Sequence, residues 1–369
     1  MASWTLFSPP CSPVTLPTSS AAKTNAASNN KCYCFWRSSS SEKKRAIRRI
    51  ITKATEEGES SSSSSGSKDE ETPGFNPFGF VNNNPSSRSA IQLPDLPADD
   101  GNVGQMISRI ENKGREYGSY IKSGEYRWFV RETDAGFHCF APDWLGFGFS
   151  DKPEKGYDDF DFTENEFHEE LDKLLDVLEV KYPFFLVVQG FLVGSYGLTW
   201  ALKNPSRISK LAILNSPLTA SSPLPGLFQQ LRIPLLGEFT AQNAIMAERF
   251  IEAGSPYVLK LDKADVYRLP YLASSGPGFA LLEAARKVNF KDISSRIGAG
   301  FSSGSWDKPV LVAWGISDKY LPQSVAEEFQ KGNPNVVKLQ MIEGAGHMPQ
   351  EDWPEKVVDA LRYFFLNYT

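Results

Sequence analysis

The stretch Phe184-Phe185-Leu186-Val187-Val188-Gln189-Gly190-Phe191-Leu192-Val193-Gly194-Ser195-Tyr196-Gly197 decides the fold. Five apolar residues in a row read as a parallel strand covered on both faces. A glycine break then leads into Leu198-Thr199-Trp200-Ala201-Leu202-Lys203, a helix that ends before Asn204-Pro205. Buried strand, sharp turn and helix are the setting of a nucleophile elbow, where a Ser, Cys or Asp sits on a strained turn flanked by small residues. Counting back from Gly197 and Pro205 puts Phe191 at the nucleophile position, with Gln189 and Val193 where small residues belong. A one-residue slip puts Leu192 there instead. Neither side chain can attack a substrate. The nearest hydroxyl, Ser195, could substitute only by placing a valine at a small position and moving the turn into the helix, so it reads as a small helix residue packing near the sheet.

Composition narrows the classes of function. The 369 residues carry a net charge of -5, which argues against a nucleic-acid partner. No apolar run approaches the roughly 20 residues that span a bilayer, which leaves peripheral membrane contact open. Three of the four cysteines, Cys11, Cys32 and Cys34, fall in the N-terminal tail, so the body has only Cys139 and no disulfide framework or thiolate metal cluster. No metal or cofactor is expected, and the compartment reads as reducing.

Residues 1–55 begin without Asp or Glu up to Ser41, are rich in Ser, Thr, Ala and Pro, and continue into the basic cluster Lys43-Lys44-Arg45 and Arg48-Arg49. That is the composition of a disordered plastid transit peptide, which places the protein in the chloroplast, in the stroma or peripheral to an internal membrane. Residues 56–100 form a Ser-rich, acidic and Pro-rich linker. The folded body opens with a helix carrying Met106, Ile107 and Ile110. Strands follow at Glu116 to Lys122, Tyr126 to Glu132 and Phe137 to Ala141. Thr163-Glu164-Asn165-Glu166 is a capping box ahead of a helix that buries Phe167, Leu171, Leu174 and Leu178.

Asp143-Trp144-Leu145-Gly146-Phe147-Gly148-Phe149-Ser150, followed by Pro153, resembles the fourth-strand loop of the α/β-hydrolase superfamily. Ile233-Pro234-Leu235-Leu236-Gly237-Glu238-Phe239 and Tyr267-Arg268-Leu269-Pro270-Tyr271 are similar to the cap of its haloalkane dehalogenase and soluble epoxide hydrolase branch. The resemblance implies a mostly parallel sheet flanked by helices, with the core over 101–217 and 305–369 and a helical cap over 218–304. Asp318, in Trp314-Gly315-Ile316-Ser317-Asp318, and His347, in Gly344-Ala345-Gly346-His347, follow in the superfamily's order of acid, then base. His138 and His168 read as structural.

A second part of the superfamily's machinery is missing. Its strand ending in His-Gly supplies one oxyanion-hole N–H, but here Arg131-Glu132-Thr133 runs directly into Asp134-Ala135-Gly136-Phe137. The backbone N–H of Leu192 is left as the remaining oxyanion donor, and the sheet is expected to close with one strand fewer through a short hairpin. The resemblance implies hydrolase ancestry and a lidded pocket for a small apolar or lipid-like ligand. The chemistry of the elbow leaves three readings: a degenerate site, hydrolysis of an ester or epoxide through His347 and Asp318, or a non-catalytic binding protein.

Overall fold

The computed structural model describes residues 101–134 and 136–368, together with the backbone of one strand at Thr5–Ser8. Apart from that strand, the transit segment over 1–55 and the linker over 56–100 lie outside the described residues. An eight-stranded sheet runs in the order β2-β3-β4-β1-β5-β6-β7-β8. Its strands are β1 Thr5–Ser8, β2 Gly118–Ser123, β3 Tyr126–Asp134, β4 His138–Asp143, β5 Phe184–Gln189, β6 Ile208–Leu214, β7 Val310–Gly315 and β8 Val337–Ile342. β5 to β8 pair in parallel and β2 to β4 are antiparallel.

Asp134 pairs with His138 across the expected short hairpin, which turns at Gly136. The sheet nevertheless does not close with β4 directly against β5, as the sequence suggested. β1 lies between them, antiparallel to both, with Leu6 opposite Phe140 on one side and Leu186 on the other. The expectation of one strand fewer is thus corrected by a segment from the far N-terminus.

Period-two alternation splits the core into two layers. Phe184, Leu186 and Val188 of β5 join one cluster with Leu174 and Trp200, and Phe185 and Val187 join the other with Val357 and Phe364. The first layer is closed by α2 (Glu164–Val177), α3 (Leu192–Lys203) and the cap, and the second by α12 (Pro354–Asn367), while α1 (Gly101–Gly114) packs on the cap. The capping box at the start of α2 forms as expected: Thr163 N–H donates to Glu166 Oε2 at 3.0 Å and Glu166 N–H to Thr163 Oγ1 at 3.4 Å.

The cap residues form α4 (Gly226–Gln230), α5 (Leu236–Ala241), α6 (Met246–Gly254), α7 (Leu261–Ala273), α8 (Gly276–Lys287) and α9 (Phe290–Gly300). Behind β7 come α10 (Gln323–Gly332) and the short α11 (Pro349–Asp352). Among the described residues no helix is long and apolar enough to cross a membrane.

Candidate active site

Asp318 lies just beyond β7 and His347 just beyond β8, so two adjacent parallel strands deliver them to the same sheet edge. His347 Nδ1 and Asp318 Oδ2 are 2.9 Å apart, with side chains 2% and 1% exposed. The carboxylate has its other lone pairs filled: Oδ1 accepts from Tyr320 N–H at 2.7 Å and Leu321 N–H at 3.1 Å, and Oδ2 accepts from Asn215 Nδ2 at 2.8 Å. A carboxylate held by four donors fixes the Nδ1–H tautomer of the ring and leaves Nε2 as its acceptor. That Nε2 is buried and has no hydrogen-bond partner within the protein.

Several props of this corner escaped the sequence reading. Asn215, just past β6 with φ 27°, also accepts from Gly315 N–H at 2.8 Å, so it ties the end of β7 to the acid. By sequence Asp352 reads as the cap of the last helix, but the N-cap there is Trp353. The Asp352 carboxylate instead accepts from Gly346 N–H and from Ser255 Oγ, both at 2.7 Å, and burial raises its pKa. The cap takes part as well. Gly254, the last residue of α6, accepts from His347 N–H at 2.8 Å, and a Cβ on Gly254 would stand 2.7 Å from both His347 Cβ and the Tyr320 ring. These partners are distant in sequence and belong to residue types common in loops, so only Asn215, a polar residue closing a buried strand, carried any signal.

The elbow is built differently. The left-handed residue is Gly190, with φ 86°, whereas Phe191 has φ -77° and is the N-cap of α3. The sharp turn therefore falls one residue before the position assigned from sequence. A glycine takes φ 86° without the Cβ clash that any other residue would meet there. The consequence for chemistry is unchanged, because neither Gly190 nor Phe191 carries a nucleophilic atom. With the turn at Gly190, the N–H that follows it belongs to Phe191, and Leu192 becomes the first residue of α3. Phe191 packs its ring on the imidazole of His347, with centroids 5.0 Å apart. Gln189 reaches the same loop by donating from Nε2 to His347 O at 2.9 Å.

Ser195 is fully buried within α3 and is not among the residues lining the cavity beside His347. That cavity, of about 70 Å³, lies between core and cap, with Gly190, Phe191 and His347 on one side and Phe228, Phe250 and Tyr271 on the other. The other two histidines are elsewhere. His138 is exposed and pairs with Glu132. His168 is buried behind α3, where its Nε2–H donates to Tyr196 O at 2.8 Å and its Nδ1 accepts from Lys203 Nζ at 3.1 Å. Burial, with the Lys203 charge adding to it, pushes the His168 pKa down to about 4. No group of side chains among the described residues is arranged to hold a metal ion.

A profile of the alpha/beta hydrolase fold matches residues 122–354, and the chain belongs to that family. It is 26% identical over 258 residues to the cis-3-alkyl-4-alkyloxetan-2-one decarboxylase of Xanthomonas campestris, covering 65% of this chain and 83% of that protein. It is 29% identical over 205 residues to a haloalkane dehalogenase of Mycolicibacterium paratuberculosis, covering 51% and 61%. The solved haloalkane dehalogenase DbeA of Bradyrhizobium elkani superposes with a TM-score of 0.57 at 20% identity, over 66% of this chain and 95% of that one, a likeness of fold.

Proposed function

We propose that this chain is a plastid protein of hydrolase ancestry that binds a small apolar or lipid-like ligand beneath its cap and forms no covalent bond to it. The elbow carries this reading. A covalent hydrolase needs a side-chain nucleophile beside its histidine, and here that place is shared by Gly190 and the ring of Phe191. Wild-type protein should give no mass change with a fluorophosphonate, an epoxide or an alkyl halide. A stoichiometric adduct on Ser195, lost in Ser195→Ala, would overturn the reading.

Two variants locate the turn chemically. Gly190→Asp should become labelled by an alkyl halide and Phe191→Asp should not. Even Gly190→Asp should turn over slowly, since loss of one oxyanion donor alone costs about a hundred- to a thousand-fold. Labelling of Phe191→Asp alone would return the nucleophile position to residue 191.

A second reading, hydrolysis by water activated directly at His347, is favoured by the intact His347–Asp318 pair and its open Nε2. It requires turnover without an adduct, abolished in His347→Ala. Ligand binding alone requires reversible occupancy without turnover.

The plastid assignment rests on the acid-free, Ser-rich stretch up to Ser41 and the basic cluster that follows it within residues 1–55. Organelle protein sequenced from its N-terminus should begin after roughly 40 to 60 residues have been removed, and a start at Met1 or Ala2 would refute it. Such processing would take Thr5–Ser8 out of the sheet. Because β1 is antiparallel to both neighbours, β4 and β5 run in the same direction and could then pair with each other. Hydrogen exchange on protein lacking residues 1–55 should find the β4 and β5 amides still protected, and rapid exchange in both would refute that closure.

A further inference from the structure

Two walls of the cavity stand on the strands that β1 separates. β4 runs out at Asp143 into Trp144 and Phe147, and β5 runs out at Gln189 into Gly190 and Phe191; all of these except Asp143 line the cavity. Adjacent strands lie about 4.8 Å apart, so with β1 between them β4 and β5 stand about 9.6 Å apart. The width of the cavity on its core side therefore depends on whether that interval is filled.

The interval can close without a change of register. Leu6 lies opposite both Phe140 and Leu186, and Phe7 opposite both Cys139 and Phe185, so each β4 residue is already level with the β5 residue it would meet. The alternation agrees as well. Phe140 and Leu186 belong to one core layer, and Cys139 and Phe185 to the other. A sideways movement of β4 by one strand spacing thus pairs Phe140 with Leu186 and keeps each side chain in its layer, where a slip of one residue would turn them all over. Backbone satisfaction drives the movement once β1 has left. These four residues are buried, and the N–H and C=O groups that β4 and β5 turn toward β1 cannot stay unpaired at that depth.

We infer that Thr5–Ser8 is a removable spacer of the site. While it occupies the sheet it holds the Trp144 and Phe191 walls apart, and its departure draws them together and narrows the cavity of about 70 Å³ between them. The inference rests on the processing and ligand-binding readings above and adds what regulates that site: the chain that keeps β1 has the wider cavity, and the processed chain a narrower one.

Full-length Leu6→Pro/Phe7→Pro tests this without cutting the chain. Successive residues of a central strand bond to opposite neighbours, so the two prolines remove one donor from each side of β1 and expel it from the sheet. Amide–amide nuclear Overhauser contacts between β4 and β5 around Phe140 and Leu186, absent in the unaltered chain across about 9.6 Å, should appear in the variant. Binding of xenon, a probe of small apolar cavities, should be lost with them. The inference is overturned by β4–β5 contacts already present in the unaltered chain, or by a folded variant that lacks them. It is overturned equally by a variant that no longer unfolds cooperatively, because β1 would then be part of the fold and not a spacer. Contacts that appear with xenon binding unchanged would overturn the link to the cavity and leave the ligand-binding reading standing. Failure of the unaltered chain to take up xenon would sink the ligand-binding reading and the cavity link with it, while the contacts would still decide whether β1 spaces the strands.

Discussion

The acid–base corner around His347 and the elbow at Gly190 lie side by side on the wall of one small cavity, yet they are built differently. In the corner Asp318 accepts four hydrogen bonds, and Asn215, Asp352 and Gly254 brace the loops around it. In the elbow stand a glycine suited to the turn and a phenylalanine that packs. The corner's hydrogen bonds also fasten β6, β7, β8 and the cap to one another, so they have structural work that does not depend on catalysis.

That contrast can be broken most directly at Asp318. Asp318→Ala strips acceptors from His347, Asn215, Tyr320 and Leu321 at once, and should cost about 3–5 kcal/mol in denaturant unfolding. A loss below about 1 kcal/mol would show that the corner is not structural.

The back of the elbow helix predicts a pH effect. His168 titrates near 4 in the folded chain and near 6.5 when unfolded, so the unfolded state binds the extra proton between those values. The contribution of neutral His168 is fully present above about pH 6.5 and lost as pH falls towards 4. At that limit the loss amounts to about 3 kcal/mol. His168→Gln should flatten the stability–pH curve in that window, and an unchanged slope would remove His168 as its cause.

Gly254→Ala tests the seam between cap and corner. Its new Cβ meets His347 and Tyr320 at 2.7 Å, and overpacking of this kind costs about 1–3 kcal/mol. His347 side-chain resonances should shift with it, and a neutral substitution would show that the seam yields.

Phe191→Leu should have the smallest effect, about 1 kcal/mol in thermal unfolding, because it exchanges one buried apolar side chain for another. A much larger loss would mean that the stacked ring holds His347 in place and that the elbow, too, has a structural duty.

Strands with apolar runs, the capping box of Thr163 and Glu166, and the order Asp318 then His347 were legible because each signal is local, or depends only on order along the chain. The position of the turn was not. Phe191 looked right by counting, but the backbone leaving β5 must reverse at once, and Gly190 can adopt the left-handed conformation at no steric cost. Asp352 and Gly254 were invisible as site residues, and Asn215 nearly so, for a related reason: each acts through a partner far along the chain, Asp318 for Asn215, Ser255 for Asp352 and His347 for Gly254.

The sequence by itself determined the class of fold and the order of Asp318 and His347 along the chain, because these follow from residue types and their spacing. Tertiary structure alone decided which residue makes the turn, that Thr5–Ser8 stands between β4 and β5, and that Asn215, Asp352 and Gly254 converge on the loops around His347. Four residues carry too little periodicity to mark a central strand, and pairing or its absence exists only after folding has brought distant donors and acceptors within hydrogen-bond reach.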